Sequence, residues 1–285
     1  MRLLLRLSTA AAYLCAGCMP PSWGAGALLH PARRPLGPAP TLVHRDVEFT
    51  SDGTELRGWL FPAREVKSGT TVVYLHGSGD NRASGNWIAE RLVASGFDVL
   101  AYDSRAHGVS GGEACTYGFY ERRDLQRALD ALGISRAMLL GVSLGGAVAL
   151  QITPDDYRII GVVAVATYSD LESIARDRAP FFASEGQIRQ AFALAEREAR
   201  FRVAEVSPVK AAARIHVPVL LVHGAEDRET RPVHSERVYA ALAGPRRLLV
   251  VPGANHNDAL GKSWLEVEAW IKKTTSTGVV SEPYP

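Results

Sequence analysis

Apolar residues in this chain gather into short continuous runs, and the stretches between the runs carry apolar residues at helical spacing. "VHRDVEFT" and "ELRGWLFP" alternate apolar and polar positions on either side of "SDG" at 51–53, which predicts an antiparallel hairpin. "TTVVYLH", residues 70–76, is β-branched and nearly all apolar, the pattern of a strand buried on both faces. "FDVLAYD", "AMLLG", "IIGVVAVAT", "VPVLLVHG" and "RRLLVVPG" repeat that pattern downstream. Between the strands, "WIAERLVASG" and "FYERRDLQRALDALG" are helical in period and stop at Gly96 and Gly133. "LGGAVALQIT", "PVHSERVYAAL" and a closing stretch from Asp258 to Lys273 are also helical. Two antiparallel strands followed by βαβ repeats predict an α/β fold: a mostly parallel sheet of about eight strands, right-handed crossovers, and helices on both faces. In such a sheet ligands bind beyond the carboxyl ends of the strands, so the residues just after each run are where chemistry is to be sought.

The ends of the chain follow other patterns. "MRLLLRLSTAAAYLCAGC" places Arg2 and Arg6 before a short apolar run to Gly17, which predicts an export signal. The run is shorter than the roughly 20 apolar residues of a membrane span. Its end resembles a bacterial lipoprotein signal: Ala16 and Gly17 precede Cys18, although Cys15 stands where that signal prefers an aliphatic residue. The resemblance implies removal of Met1 to Gly17, acylation of Cys18 and anchoring to a bacterial membrane; plain secretion or a periplasmic location is the alternative. Residues 18–42, rich in Pro and Gly, read as a tether with an extended segment lying on the domain. The domain itself is expected over 43–275, with a tail over 276–285. A short insertion at about 170–208 reads as a lid carrying Phe181, Phe182, Phe192 and Phe201, at least half of them docking it on the sheet. A short lid predicts an open, modest pocket suited to small acyl groups.

Composition narrows the function. With 285 residues, 47% of them hydrophobic, there is material for one large α/β domain. A net charge of +2, from 32 basic and 30 acidic residues without a basic stripe, argues against nucleic acid as a partner. Outside the leader, Cys115 is the lone cysteine, so the domain has no internal disulfide to form. Outside the leader the sequence has no HExxH or CxxC for a metal, and it has no GxGxxG after a strand for a dinucleotide, so no cofactor is expected.

The strand ends carry the candidate chemistry. They read "HGSGD", "YDSRAHGVSGG", "GVSLGG", "HGAEDRETRP" and "GANHND" in chain order. A single Gly-x-Ser-x-Gly is a weak signal, but five motifs in the right order after the right strands are strong. On them the chain resembles an α/β-hydrolase from about Val43 to Lys273, most closely the serine aminopeptidase-like and BEM46-like single-domain hydrolases. The resemblance implies Ser143 as nucleophile on a strained strand-to-helix elbow, with Gly141 and Gly145 needed where a Cβ would not fit. This fold orders its triad as serine, acid, histidine, so Asp227 is the implied acid and His256 the base. His234 falls inside a helical run, and His76, His107 and His223 read as loop-shaping groups. Asp170 occupies an alternative acid position, and Glu226 lacks the family spacing. The implied oxyanion donors are the amides of Leu144 and Ser78, with Gly79 as runner-up. The expected activity is acyl-enzyme hydrolysis of small to medium carboxylic esters. A peptidase or thioesterase of the same fold is the alternative, and a non-catalytic binding protein is the reading from another class. The sequence sets neither the substrate nor the oligomeric state.

Overall fold

The computed structural model describes residues 20–64 and 68–276. The leader, Cys18 and the tail from 277 lie outside the described residues. The elements in chain order are α1 (Pro21–Leu29), β1 (Arg45–Ser51), β2 (Thr54–Phe61), β3 (Thr71–Leu75), α2 (Asn86–Ala94), β4 (Asp98–Tyr102), α3 (Glu121–Ala131), β5 (Ala137–Val142) and α4 (Leu144–Ile152). They continue with β6 (Ile159–Val165), α5 (Leu171–Arg178), α6 (Glu185–Ala199), α7 (Pro208–Ala212), β7 (Val219–Gly224), α8 (Val233–Ala241), β8 (Arg246–Val251), α9 (Ala259–Lys262) and α10 (Trp264–Ser276).

All eight strands form one sheet in the order β1-β2-β4-β3-β5-β6-β7-β8. The pairs β1/β2 and β2/β4 are antiparallel and every other pair is parallel, as the hydrophobic runs imply. The hairpin turns through Asp52 at φ 47° and Gly53 at φ 76°, the left-handed pair that a two-residue turn between right-twisted strands requires. From β3 the chain steps outward to β4 and then returns to β5 on the other side. That reversal opens a crevice at the carboxyl ends of β3 and β5.

Each face of the sheet is sealed by helices. Leu125 and Leu129 of α3 and Leu150 of α4 are buried in one layer, and Ile88 and Leu92 of α2 with Val267 and Ile271 of α10 in the other. Every residue of α4 is buried, which fits its lack of a polar face. The closing helix is split at Ser263, whose hydroxyl bonds back to the carbonyl of Ala259 at 2.7 Å.

The amino-terminal segment departs from the expected extended tether. Residues 21–29 form a helix with Pro21 in its first turn, where a missing N–H costs nothing, and Ala25 and Leu29 are buried. The run "WGAGALL" has apolar surface to bury, and Gly24 lets α1 approach α6: an added Cβ would stand 3.0 Å from the Cβ of Ala191. Beyond the helix the chain is stitched down as a strap. The Arg33 guanidinium donates to the carbonyls of Ser110 and Gly112 at 2.6 Å each. His30 reaches the Glu113 carbonyl at 2.9 Å and Glu198 of α6 at 2.8 Å, and the Asn81 amide donates to the carbonyls of Arg34 and Pro35.

The lid comprises α5 and α6. Asp170 caps α5 by accepting from the Ser173 amide at 2.7 Å. Ser184 and Gln187 form a capping box that starts α6. Phe201 is buried and Phe192 packs against the core, whereas Phe181 is 99% and Phe182 41% exposed. Half of the lid phenylalanines therefore dock it.

Candidate active site

Ser143 stands between β5 and α4 at φ 52° and ψ −110°, a conformation a residue with a Cβ seldom adopts. Three bonds hold it there. Its amide donates to the Val165 carbonyl at 2.8 Å, and its carbonyl accepts from the Ala147 amide at 3.1 Å and the Thr167 hydroxyl at 3.3 Å. The flanking glycines are steric necessities. A Cβ on Gly141 would run into the backbone of Gly145, and one on Gly145 into the carbonyl of Leu75 in β3. The loop after β3 comes close as well: a Cβ on Gly77 would lie 3.7 Å from that of Ser143.

The acid and base arrive from β7 and β8. His256 Nδ1 lies 2.7 Å from Asp227 Oδ2. The other carboxylate oxygen, Oδ1, accepts from the amides of Glu229 at 2.9 Å and Thr230 at 2.8 Å. Burial works against ionisation of Asp227, but the hydrogen bonds from His223, His256 and the Thr230 amide outweigh it and hold the carboxyl well below the usual carboxylate range. An ionised carboxylate only accepts, so Nδ1 of His256 donates to it, and in the neutral ring Nε2 is the acceptor. The two loops are locked together. Gly224 is pressed against the carbonyls of Ala254 and Asn255, leaving no room for a Cβ, and the Glu226 amide donates to Ala254 at 2.8 Å. Asp258 in turn accepts from the Asn255 amide at 2.6 Å, shaping the loop that carries His256.

The other titratable candidates have structural duties. His234 is buried against the Ser169 hydroxyl at 2.9 Å and Asp177 of α5 at 3.2 Å. Asp170 is the helix cap already described, and the Glu226 side chain is exposed while Asp227 is buried. His76 accepts from the Ser104 amide at 3.0 Å, and its Nδ1–H donates to the Gly77 carbonyl at 2.8 Å. His107 donates to the Arg105 carbonyl, and burial pushes its pKa down to about 4. His223 lies 3.3 Å from Asp227 and 2.6 Å from the Thr230 carbonyl, so it braces the acid loop from within. Burial pushes the Cys115 thiol well up, which removes it as a nucleophile.

At the expected oxyanion position, Leu144 is the first residue of α4, so its N–H has no partner within the helix. Ser78 follows Gly77 and faces the phenol of Tyr117. Tyr117 is a site residue that the sequence reading missed. It holds φ 58°, and its carbonyl accepts from the Gln151 amide at 3.0 Å and the Tyr168 hydroxyl at 3.2 Å. Its signal in the sequence was the pair Tyr117-Gly118, an aromatic before a glycine at φ 114°, in a loop that carries no motif. Ser78 and Tyr117 border a cavity of about 310 Å³ that continues between α1 and the lid. The open pocket expected from the short lid is thus narrowed by the amino-terminal helix.

Comparison with known proteins agrees with this fold. A family model described as the alpha/beta hydrolase family matches residues 72–269. Uncharacterized protein YfhR of Escherichia coli (strain K12) is 29% identical over 246 residues, which span 81% of this chain and 79% of that one. The Pyrococcus furiosus esterase Pf2001 superposes with a TM-score of 0.69 at 23% identity, covering 87% of this chain and 97% of the esterase. Pyrococcus horikoshii acylaminoacyl peptidase superposes with a TM-score of 0.63 at 15% identity, covering 82% of this chain and 42% of the peptidase. At these identities the two solved structures establish the fold.

Proposed function

The chain belongs to the alpha/beta hydrolase family, and from that premise we propose that it is a serine hydrolase of carboxylic esters. Ser143 Oγ attacks the ester carbonyl carbon while His256 Nε2 takes its proton. Asp227 holds the imidazole through Nδ1 and stabilises the imidazolium without accepting the proton. The amides of Leu144 and Ser78 receive the oxyanion of the tetrahedral intermediate. His256 then returns its proton to the leaving alkoxide, which departs as an alcohol and leaves an acyl-serine. Water, deprotonated by the same nitrogen, releases the acid and restores the hydroxyl.

The observation that carries this reading is the 2.7 Å contact between His256 and Asp227. It leaves the basic nitrogen free on the same edge of the sheet that delivers the strained Ser143. The cavity supports an ester over a peptide, because its walls are largely apolar and short of groups to pair a peptide backbone. A panel of p-nitrophenyl esters and aminoacyl-anilides, run beside fluorophosphonate labelling, tests the proposal. Ester turnover with label on Ser143 is expected. Turnover of anilides alone would replace the ester reading with the peptidase, and no label or turnover on either would remove the serine mechanism.

Cellular placement is a second part of the proposal. Arg2, Arg6 and the short apolar run before Ala16-Gly17-Cys18 support export, removal of Met1 to Gly17 and acylation of Cys18. Two or three acyl chains anchor firmly where one binds only marginally.

A further inference from the structure

We infer that helix α1 is one wall of an acyl-chain site, so that the segment ahead of the hydrolase domain sets which esters the protein takes. The inference rests on the serine-hydrolase reading for the chemistry at Ser143, but the cavity is argued from its own walls.

Three of those walls come from different parts of the chain. Gly24, Ala27 and Leu28 face the cavity from α1, and Phe182, Ile188 and Phe192 from the lid. Ser78 and Tyr117 close the end nearest the reacting atoms, since Ser78 adjoins Gly77 and Gly77 abuts Ser143. Among the described residues, no aspartate or glutamate lines the space. Arg178 lines it, and its guanidinium is turned to the Glu229 carbonyl at 3.1 Å and the Thr230 hydroxyl at 3.0 Å. A volume of about 310 Å³ is at the small end of ligand pockets. A largely apolar space of that size, with Ser78 and Tyr117 at the reacting end and Arg178 and Gln187 toward the lid, fits one unbranched aliphatic acyl chain of intermediate length. It does not suit a charged or peptidic group.

The wall is fixed. Arg33 binds two carbonyls of the loop after β4, and His30 bridges that loop to α6. The Cys115 amide donates to the Leu29 carbonyl at 2.8 Å, which pins the end of α1. A helix tied at these points behaves as part of the pocket and keeps its place when substrate leaves.

The test uses the full chain. Burying one methylene is worth about fourfold in kcat/KM, so p-nitrophenyl esters from acetate to decanoate should climb about fourfold per methylene and level off when the cavity is full. Ala27→Trp fills the cavity from α1 and is expected to lower the decanoate-to-acetate ratio of kcat/KM about sixteenfold, the equivalent of two methylenes. Leu28→Ala enlarges it and should move the plateau to longer chains. Binding of sodium decanoate by calorimetry to Ser143→Ala protein, with and without Ala27→Trp, reads the cavity without the chemistry. Ester turnover with a chain-length profile indifferent to both substitutions, in folded protein, overturns the inference and leaves the hydrolase reading standing. Decanoate binding lost with Ala27→Trp in a protein that hydrolyses no ester does the reverse.

Discussion

Replacing Ser143 by glycine and by alanine separates its chemistry from its backbone. Both variants lack the hydroxyl, so both should lose about three or more powers of ten in turnover. Their stabilities should differ in an unusual direction. Elsewhere in a folded chain glycine is about 0.5–1 kcal/mol worse than alanine, because it loses more freedom on folding. Here the residue sits at φ 52° and ψ −110°, and alanine keeps the Cβ that makes this conformation costly. Strain of this kind is worth about 1–3 kcal/mol. Subtracting glycine's entropy leaves the glycine variant more stable than the alanine variant by about 1 kcal/mol. In a domain of this size that corresponds to a melting point about 3 °C higher. Differential scanning calorimetry of the two purified variants measures it. An alanine variant more stable than glycine by the ordinary margin would show that the elbow stores no strain, and the argument for its glycines would need another basis.

Asp227→Asn should lower kcat by about four powers of ten with a small change in KM, since the amide presents the wrong hydrogen-bonding group to His256 Nδ1; steady-state kinetics on the preferred ester decides it. The same carboxylate gives stability a pH dependence: its folded pKa is depressed, so the unfolded chain binds more protons in acid, and stability present above about pH 4 falls as pH drops below the unfolded value. Urea titrations between pH 5 and 3 should therefore show a shallower loss in Asp227→Asn than in wild type. Gly145→Ala forces a Cβ into the Leu75 carbonyl and should cost about 1–3 kcal/mol by thermal melting, with activity falling alongside. Palmitate labelling in a bacterial host should mark wild type and not Cys18→Ala; equal labelling would reduce the leader to an ordinary signal.

The alternation of buried runs with helical stretches made the sheet legible, because a parallel strand covered on both faces admits few polar residues. The hairpin was legible from "SDG", since left-handed backbone at Asp52 and Gly53 restricts the residues that can stand there. Asp227 and His256 were legible through the order of residues in the family the chain resembles, and the structure brings them into contact through the loops after β7 and β8. Helix α1 was hidden because nine residues with two glycines are too few to signal a helix alone; its stability comes from α6, some 160 residues further on. Tyr117 was hidden for a related reason, as its place depends on Gln151 and Tyr168, which meet it from α4 and the loop after β6.

The strap has a consequence for the order of folding. His30 and its partner Glu198 are 168 residues apart in sequence. Residues 20–36 are made early, yet the last surface they dock on is α6, which emerges only when most of the chain has been synthesised. Contacts of such long range form late, because the intervening chain must already be ordered to make closure favourable. The sheet, the elbow and the loop carrying Asp227 can thus be in place while the cavity still lacks a side. Opening of the strap from the finished protein would retrace that last step at a cost below that of global unfolding. Hydrogen exchange at the Cys115 amide, which depends on the Leu29 carbonyl, would report on it directly.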